Sequence, residues 1–162
     1  MRFHSLILVP LVLAACSPPA DPPASSVNEI VIPHDEPADP AALLPIGADA
    51  DLGMLKGELR CSFADADGKP LLIAAANVDR QGRATAIVNI ATGIAPLGGS
   101  ETGGFNALLK GGRFEAAGLT ATIARGANQP TGDESSRHQA TLTVTWANSQ
   151  TDTRQGVWSC GP

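Results

Sequence analysis

His138 sits close in sequence to Asp133, Glu134, Ser135 and Ser136, which are the residue types of a base, an orienter and a nucleophile. A triad also needs those groups to converge in space, and no nucleophile-elbow sequence is present, so His138 is expected as the solvent-end residue of a strand. Asp65-Ala66-Asp67-Gly68 has the alternating carboxylates that open a calcium loop. It lacks the third intervening ligand and the closing bidentate Glu, which leaves a hairpin turn. His34-Asp35-Glu36 are metal-ligating types, but three neighbours in a linker do not converge on one ion, and they are expected as solvated charge. Gly98-Gly99, Gly103-Gly104 and Gly111-Gly112 permit positive φ and tight turns. A phosphate cradle would need Gly-Lys-Ser or Gly-Lys-Thr opening a helix, and neither occurs. The 98–112 region is therefore either plain connecting turns or a binding surface, since loops are where scaffolds carry binding residues. No catalytic residue, metal ligand or cofactor is assigned, and the chain is expected to be non-enzymatic.

Beyond Leu52 the sequence runs in short period-two segments punctuated by turn residues, which predicts an all-β domain. Leu59, Cys61 and Phe63 share one face of the first strand; Leu71 to Val78 and Ala84 to Ile90 complete a meander. A loop is expected from Ala91 to Gly104, and Phe105 to Lys110 fits a short helix or a strand equally. Strands follow at Arg113–Ala116, Leu119–Arg125, His138–Trp146 and Thr153–Cys160. In the clearest of them Ala140, Leu142, Val144 and Trp146 alternate with Gln139, Thr141, Thr143 and Thr145.

Upstream the character changes. Residues 17–51 hold seven carboxylates and no Lys or Arg, a net −7, while residues 52–162 hold ten basic against nine acidic groups, a net +1. A near-neutral domain without a basic, aromatic-interleaved stripe excludes nucleic-acid binding. Between Ser17 and Pro45 lie eight prolines among Ala, Asp and Ser, a composition that stays extended or disordered and serves as a spacer. Val27–Ile32 is its one apolar island, open to reading as a strand, a docking motif or an incidental run.

At the start, Arg2 and His4 precede an apolar run from Ser5 to Leu13 and the small residues Ala14-Ala15, the layout of a cleaved export signal. Leu13-Ala14-Ala15-Cys16 resembles the lipobox of bacterial lipoproteins. That resemblance implies a diacylglycerol thioether and a fatty (palmitate-type) amide on Cys16, and stable anchoring follows from multiple acyl chains. Plain cleavage with a free Cys16 thiol is the alternative. Ser17, in place of the Asp that retains such proteins at the inner membrane, implies the outer membrane, periplasmic face. With Cys16 acylated in an oxidising compartment, Cys61–Cys160 is the one internal bridge left to form, against two buried free thiols. Such a bridge joins the first and last strands, so a small antiparallel β-barrel of about seven or eight strands is expected, with a β-sandwich as the alternative.

The expected layout is a signal peptide at 1–15, a lipidated Cys and linker at 16–51, and the β domain at 52–162. Gly57 to Phe63, Val157 to Pro162 and the lipobox together resemble a family of uncharacterised alphaproteobacterial lipoproteins. A lipid-anchored barrel with a terminal cystine is also similar to the membrane-bound inhibitors of c-type lysozyme. Those use a Ser-Gly motif with a nearby Tyr, and this chain has no tyrosine and no Ser-Gly pair, so no inhibitory residue carries over. The expected role is a non-enzymatic module binding an envelope protein or peptidoglycan component. Inhibition of a cell-wall hydrolase is the first alternative and a hydrolase using His138 the second.

Overall fold

In the computed structural model, which describes residues 41–130 and 135–161, nine strands and one short helix follow the chain. They are β1 (Leu43–Leu44), β2 (Leu59–Asp65), β3 (Pro70–Ala76), β4 (Arg83–Ile90), β5 (Gly93–Thr102), α1 (Gly104–Leu108), β6 (Gly111–Ala116), β7 (Leu119–Gln129), β8 (Ser136–Trp146) and β9 (Thr151–Gly161). Cys16, Val27–Ile32, His34-Asp35-Glu36, Asp133 and Glu134 lie outside the described residues.

From β2 to β9 every strand pairs antiparallel with the next, and β9 returns to pair with β2. The result is a closed eight-stranded up-and-down barrel with β1 added to β4. Period-two alternation fills it: Phe63, Leu72, Ala86, Val88, Ala121, Leu142, Val144 and Trp158 all point inward and are essentially without exposure. At the closing seam Cys61 stands directly opposite Cys160, and the two form a disulfide across 99 residues of chain. In the chain-entropy picture a ring of that size stabilises the fold by about 4.7 kcal/mol.

Two expectations are corrected. The stretch Ala91–Gly104, expected as a loop, contains β5. Its Pro-Leu-Gly-Gly-Ser core has no β-branched residue, so the strand owes its form to pairing with β4 along its length and to Leu97 entering the core. A Cβ at Gly99 would come 3.1 Å from Ala84 O, so glycine lets β5 lie close on β4 there without displacing its neighbour. The ordered body also begins before residue 52. Leu43 enters the core and its N–H donates to Asp152 Oδ2 at 3.3 Å, which closes the barrel end formed by the β8–β9 turn. Asp152 also holds Arg154 in a two-pronged ion pair, whose hydrogen bond and charge raise the guanidinium above its ordinary pKa.

Residues 46–57 then run as a strap along the outside of β3 and β4. Ile46 and Leu55 cover Ala75 and Ile87, both wholly buried although they face away from the lumen. Polar side chains of β4 hold the strap: Lys56 N–H donates to Thr85 Oγ1 at 2.6 Å, and Asn89 Nδ2 donates to Pro45 O at 2.7 Å. This explains why Leu-Leu-Ile-Ala-Ala-Ala of β3 does not alternate: both its faces are covered.

Candidate functional site

The antiparallel meander brings the start of β8, the end of β9, the end of β7 and the start of β2 to one end of the barrel, where α1 crosses between β5 and β6. Its five residues sit over the lumen with Leu108 buried. Gly104 has φ 54° and packs so closely on the β3–β4 turn that a Cβ would overlap Asn77 O and Asp79 O. Gly103 and Gly104 N–H groups both donate to Gly82 O at 3.0 Å, and Phe105 N–H to Asn77 O at 2.9 Å. The other end of the helix is held by side chains. Trp158 Nε1 donates to Leu108 O at 3.3 Å, and Arg125 Nη1 to Leu109 O at 3.0 Å. Cations and N–H donors are favoured there because the last carbonyls of a helix lack intrahelical partners.

Under that plug lies His138. Contrary to the expectation of a solvent-end position, it is only 9% exposed, the one buried polar or charged side chain among the described residues. β8 begins two residues earlier, at Ser136, so the alternation that turns Ala140 and Leu142 inward turns His138 inward as well. Its Nε2 lies 3.4 Å from Arg125 Nη1. Its Nδ1 is buried without a hydrogen-bond partner, as is Ser136 Oγ on the same face of the strand. The Cys61–Cys160 disulfide borders them, since Cys160 stands opposite Ser136 and Trp158 opposite His138. Four buried side-chain atoms lack partners among the described residues, and two of the four are these neighbours. Such orphans are uncommon in native proteins and call for a physical cause.

This arrangement does not supply a nucleophile and base. Ser136 makes no hydrogen bond to the imidazole, and Arg125, a donor only, occupies the lone pair of Nε2. The other sites singled out by sequence are structural where described. Asp65 Oδ1 accepts from Asp67 N–H at 3.0 Å and Lys69 N–H at 2.9 Å, which caps the β2–β3 turn. No group of three or more His, Cys, Asp or Glu among the described residues could hold a metal. The Gly98–Gly112 region forms a β5–β6 seam with two register pairs and encloses about 10 Å³, room for one water.

On the outer wall, a groove of about 380 Å³ has a floor of Ala64 and Val157, with Arg137, Gln139 and Gln155 along its rim. The sequence gives no cue to it, because those residues come from three strands. No family model, no curated protein and no solved structure matches this chain.

Proposed function

We propose that this chain is a bacterial outer-membrane lipoprotein whose barrel is a non-enzymatic binding module for an envelope protein or a peptidoglycan component. Cys16 carries the lipid, and the Pro-, Ala- and Asp-rich sequence that follows it serves as a spacer.

The observation that carries the binding reading is the filled lumen. Side chains pack the barrel, α1 covers one end and Leu43 the other, so a partner of any size must meet the outer surface. The strap occupies the outside of β3 and β4. The wall of β8, β9 and β2, with its groove and its rim of Arg and Gln, is left for contact.

In the native host, the wild-type chain should fractionate with outer membranes and carry a lipid mass on Cys16. Cys16→Ala should move it to the soluble periplasmic fraction. A wild-type product found soluble with an unmodified amino-terminal thiol ends the proposal.

A second reading, inhibition of a cell-wall hydrolase, is favoured by the closed barrel whose cystine joins its first and last strands. Stoichiometric protein that slows lysozyme supports it, and an unchanged lytic rate removes it.

A further inference from the structure

The groove on the wall of β8, β9 and β2 follows from side-chain length. Ala64 stands opposite Val157 across β2 and β9, and Gln139 stands opposite Val157 on β8. All three face outward, because Phe63, Trp158 and His138 beside them in the chain are buried. A methyl and an isopropyl group thus lie between longer side chains on one flank and the β2–β3 turn on the other, which leaves about 380 Å³ open. That is the lower end of the range for small-ligand clefts, about 300–1,000 Å³.

The two ends of the groove carry opposite charges. Arg137 lies at one, two residues before Gln139 on the same outward face of β8. Its guanidinium makes no hydrogen bond or ion pair among the described residues. Asp65 lies at the other end, in the turn. Its Oδ1 accepts from the Asp67 and Lys69 N–H groups, while Oδ2 has no hydrogen-bond partner among the described residues. The nearby Arg154 is already committed to both carboxylate oxygens of Asp152.

Length and polarity then set the ligand. Across β9, Arg137 is in register with Ser159 and Asp65 with Gly156, so three residues and two strand spacings separate them, about 14 Å at the backbone. The arginine side chain covers part of that distance, and an extended chain of three residues, about 10 Å long, covers the rest. Between the charges, Gln155 Oε1 accepts from Thr141 Oγ1 at 3.1 Å, which fixes the orientation of that amide and leaves its Nε2 hydrogens for a ligand.

We propose that the groove binds a short peptide with both ends free, about three residues long. Its carboxylate lies on Arg137, its ammonium on Asp65, its amides against the Gln139 and Gln155 side chains, and a small apolar side chain on Ala64 and Val157. A simple ion would use one end alone, and a neutral sugar neither. The pairs are open to solvent and each contributes little, so the Kd is of the order of a millimolar. This inference rests on the binding-module reading and names its ligand class, and it draws nothing from the lipid anchor.

The test uses the full mature chain carrying Cys16→Ala. Backbone amide shifts are followed by NMR during titration with trialanine, with trialanine amide, which lacks the carboxylate, and with N-acetyl-trialanine, which lacks the ammonium. Trialanine should give saturable shifts centred on Ala64, Gln139 and Val157, and each capped peptide should bind about fivefold more weakly. Arg137→Gln should weaken trialanine about fivefold and leave trialanine amide unchanged, because the lost partner is the carboxylate. Asp65→Asn keeps an oxygen to cap the turn; it should weaken trialanine and leave N-acetyl-trialanine unchanged. Tryptophan fluorescence and the disulfide are checked in each variant, and the exposed Arg137 keeps the test decisive should the turn variant fail to fold. Unmoved amides, shifts that rise without saturating, or a capped peptide that binds as well as trialanine overturn the proposal. None of these results bears on the lipid mass or the fractionation of the wild-type chain, which test the anchored module itself.

Discussion

Trp158 ties the lumen to its plug. It stands opposite Phe63 on one side and His138 on the other, is wholly buried, and donates its indole N–H to Leu108 O. Trp158→Phe keeps most of the apolar surface but leaves that carbonyl without its donor, which should cost about 1 kcal/mol for the hydrogen bond, with a further loss for the volume removed. Urea unfolding measures the total. The amide of Leu109 should lose exchange protection, and if α1 amides exchange as in the wild type, the Trp158 contact is not what pins the helix. Sequence made some of this legible at the single-residue level. The alternation of β8 put Ala140, Leu142 and Val144 on the inward face, while His138 was expected at the solvent end of the strand. What it could not reveal was that the strand starts early enough to carry the ring inside, or that Arg125 of β7 would meet it, because that contact depends on a register with a bulge after Arg125.

Among the elements, those with clear alternation, β2 and β8, were readable because one face meets the core and the other is more open to water. β3 was readable only as an apolar run, since the strap removes the polar face that alternation needs. β5 was missed for a different reason. Its Gly and Pro are poor strand formers, and it is chiefly the pairing with β4 that holds them extended. Its other edge is weakly joined: β5 and β6 share two register pairs, against ten between β8 and β9. Pro96, lacking an N–H, and the Arg83 guanidinium on Ser100 O at 2.6 Å occupy parts of that edge which would otherwise invite another strand. Native-state hydrogen exchange should therefore find β5 and β6 opening about 2 kcal/mol below global unfolding, and β8 and β9 opening only with it. Uniform protection around the barrel would show that α1 and Phe114 close the seam as firmly as a full ladder.

At the scale of the whole molecule the disulfide draws a covalent boundary. The segment from Cys61 to Cys160 holds nearly all of the barrel, while β1 and the strap lie outside the ring and are held by burial and a few hydrogen bonds. The linker expected to end at residue 51 thus gives way to structure earlier, because Leu43, Ile46 and Leu55 have apolar surface to cover that prolines on either side do not cancel. Without the strap, Ile73, Ala75, Ile87 and Ile94 form an apolar patch on the outer wall of the barrel. Contiguous apolar surface of that kind drives association in water. A chain that starts at Lys56 should keep the disulfide-closed barrel, as judged by far-ultraviolet dichroism, yet bind a hydrophobic dye and associate with rising concentration in sedimentation velocity. Ile87→Glu in that shortened chain should restore a monomer, since a charge on the uncovered patch opposes association without touching the lumen. If the shortened chain stays monomeric and melts at the same temperature as the mature protein, the strap contributes neither cover nor stability, and its hydrogen bonds to Thr85 and Asn89 are incidental.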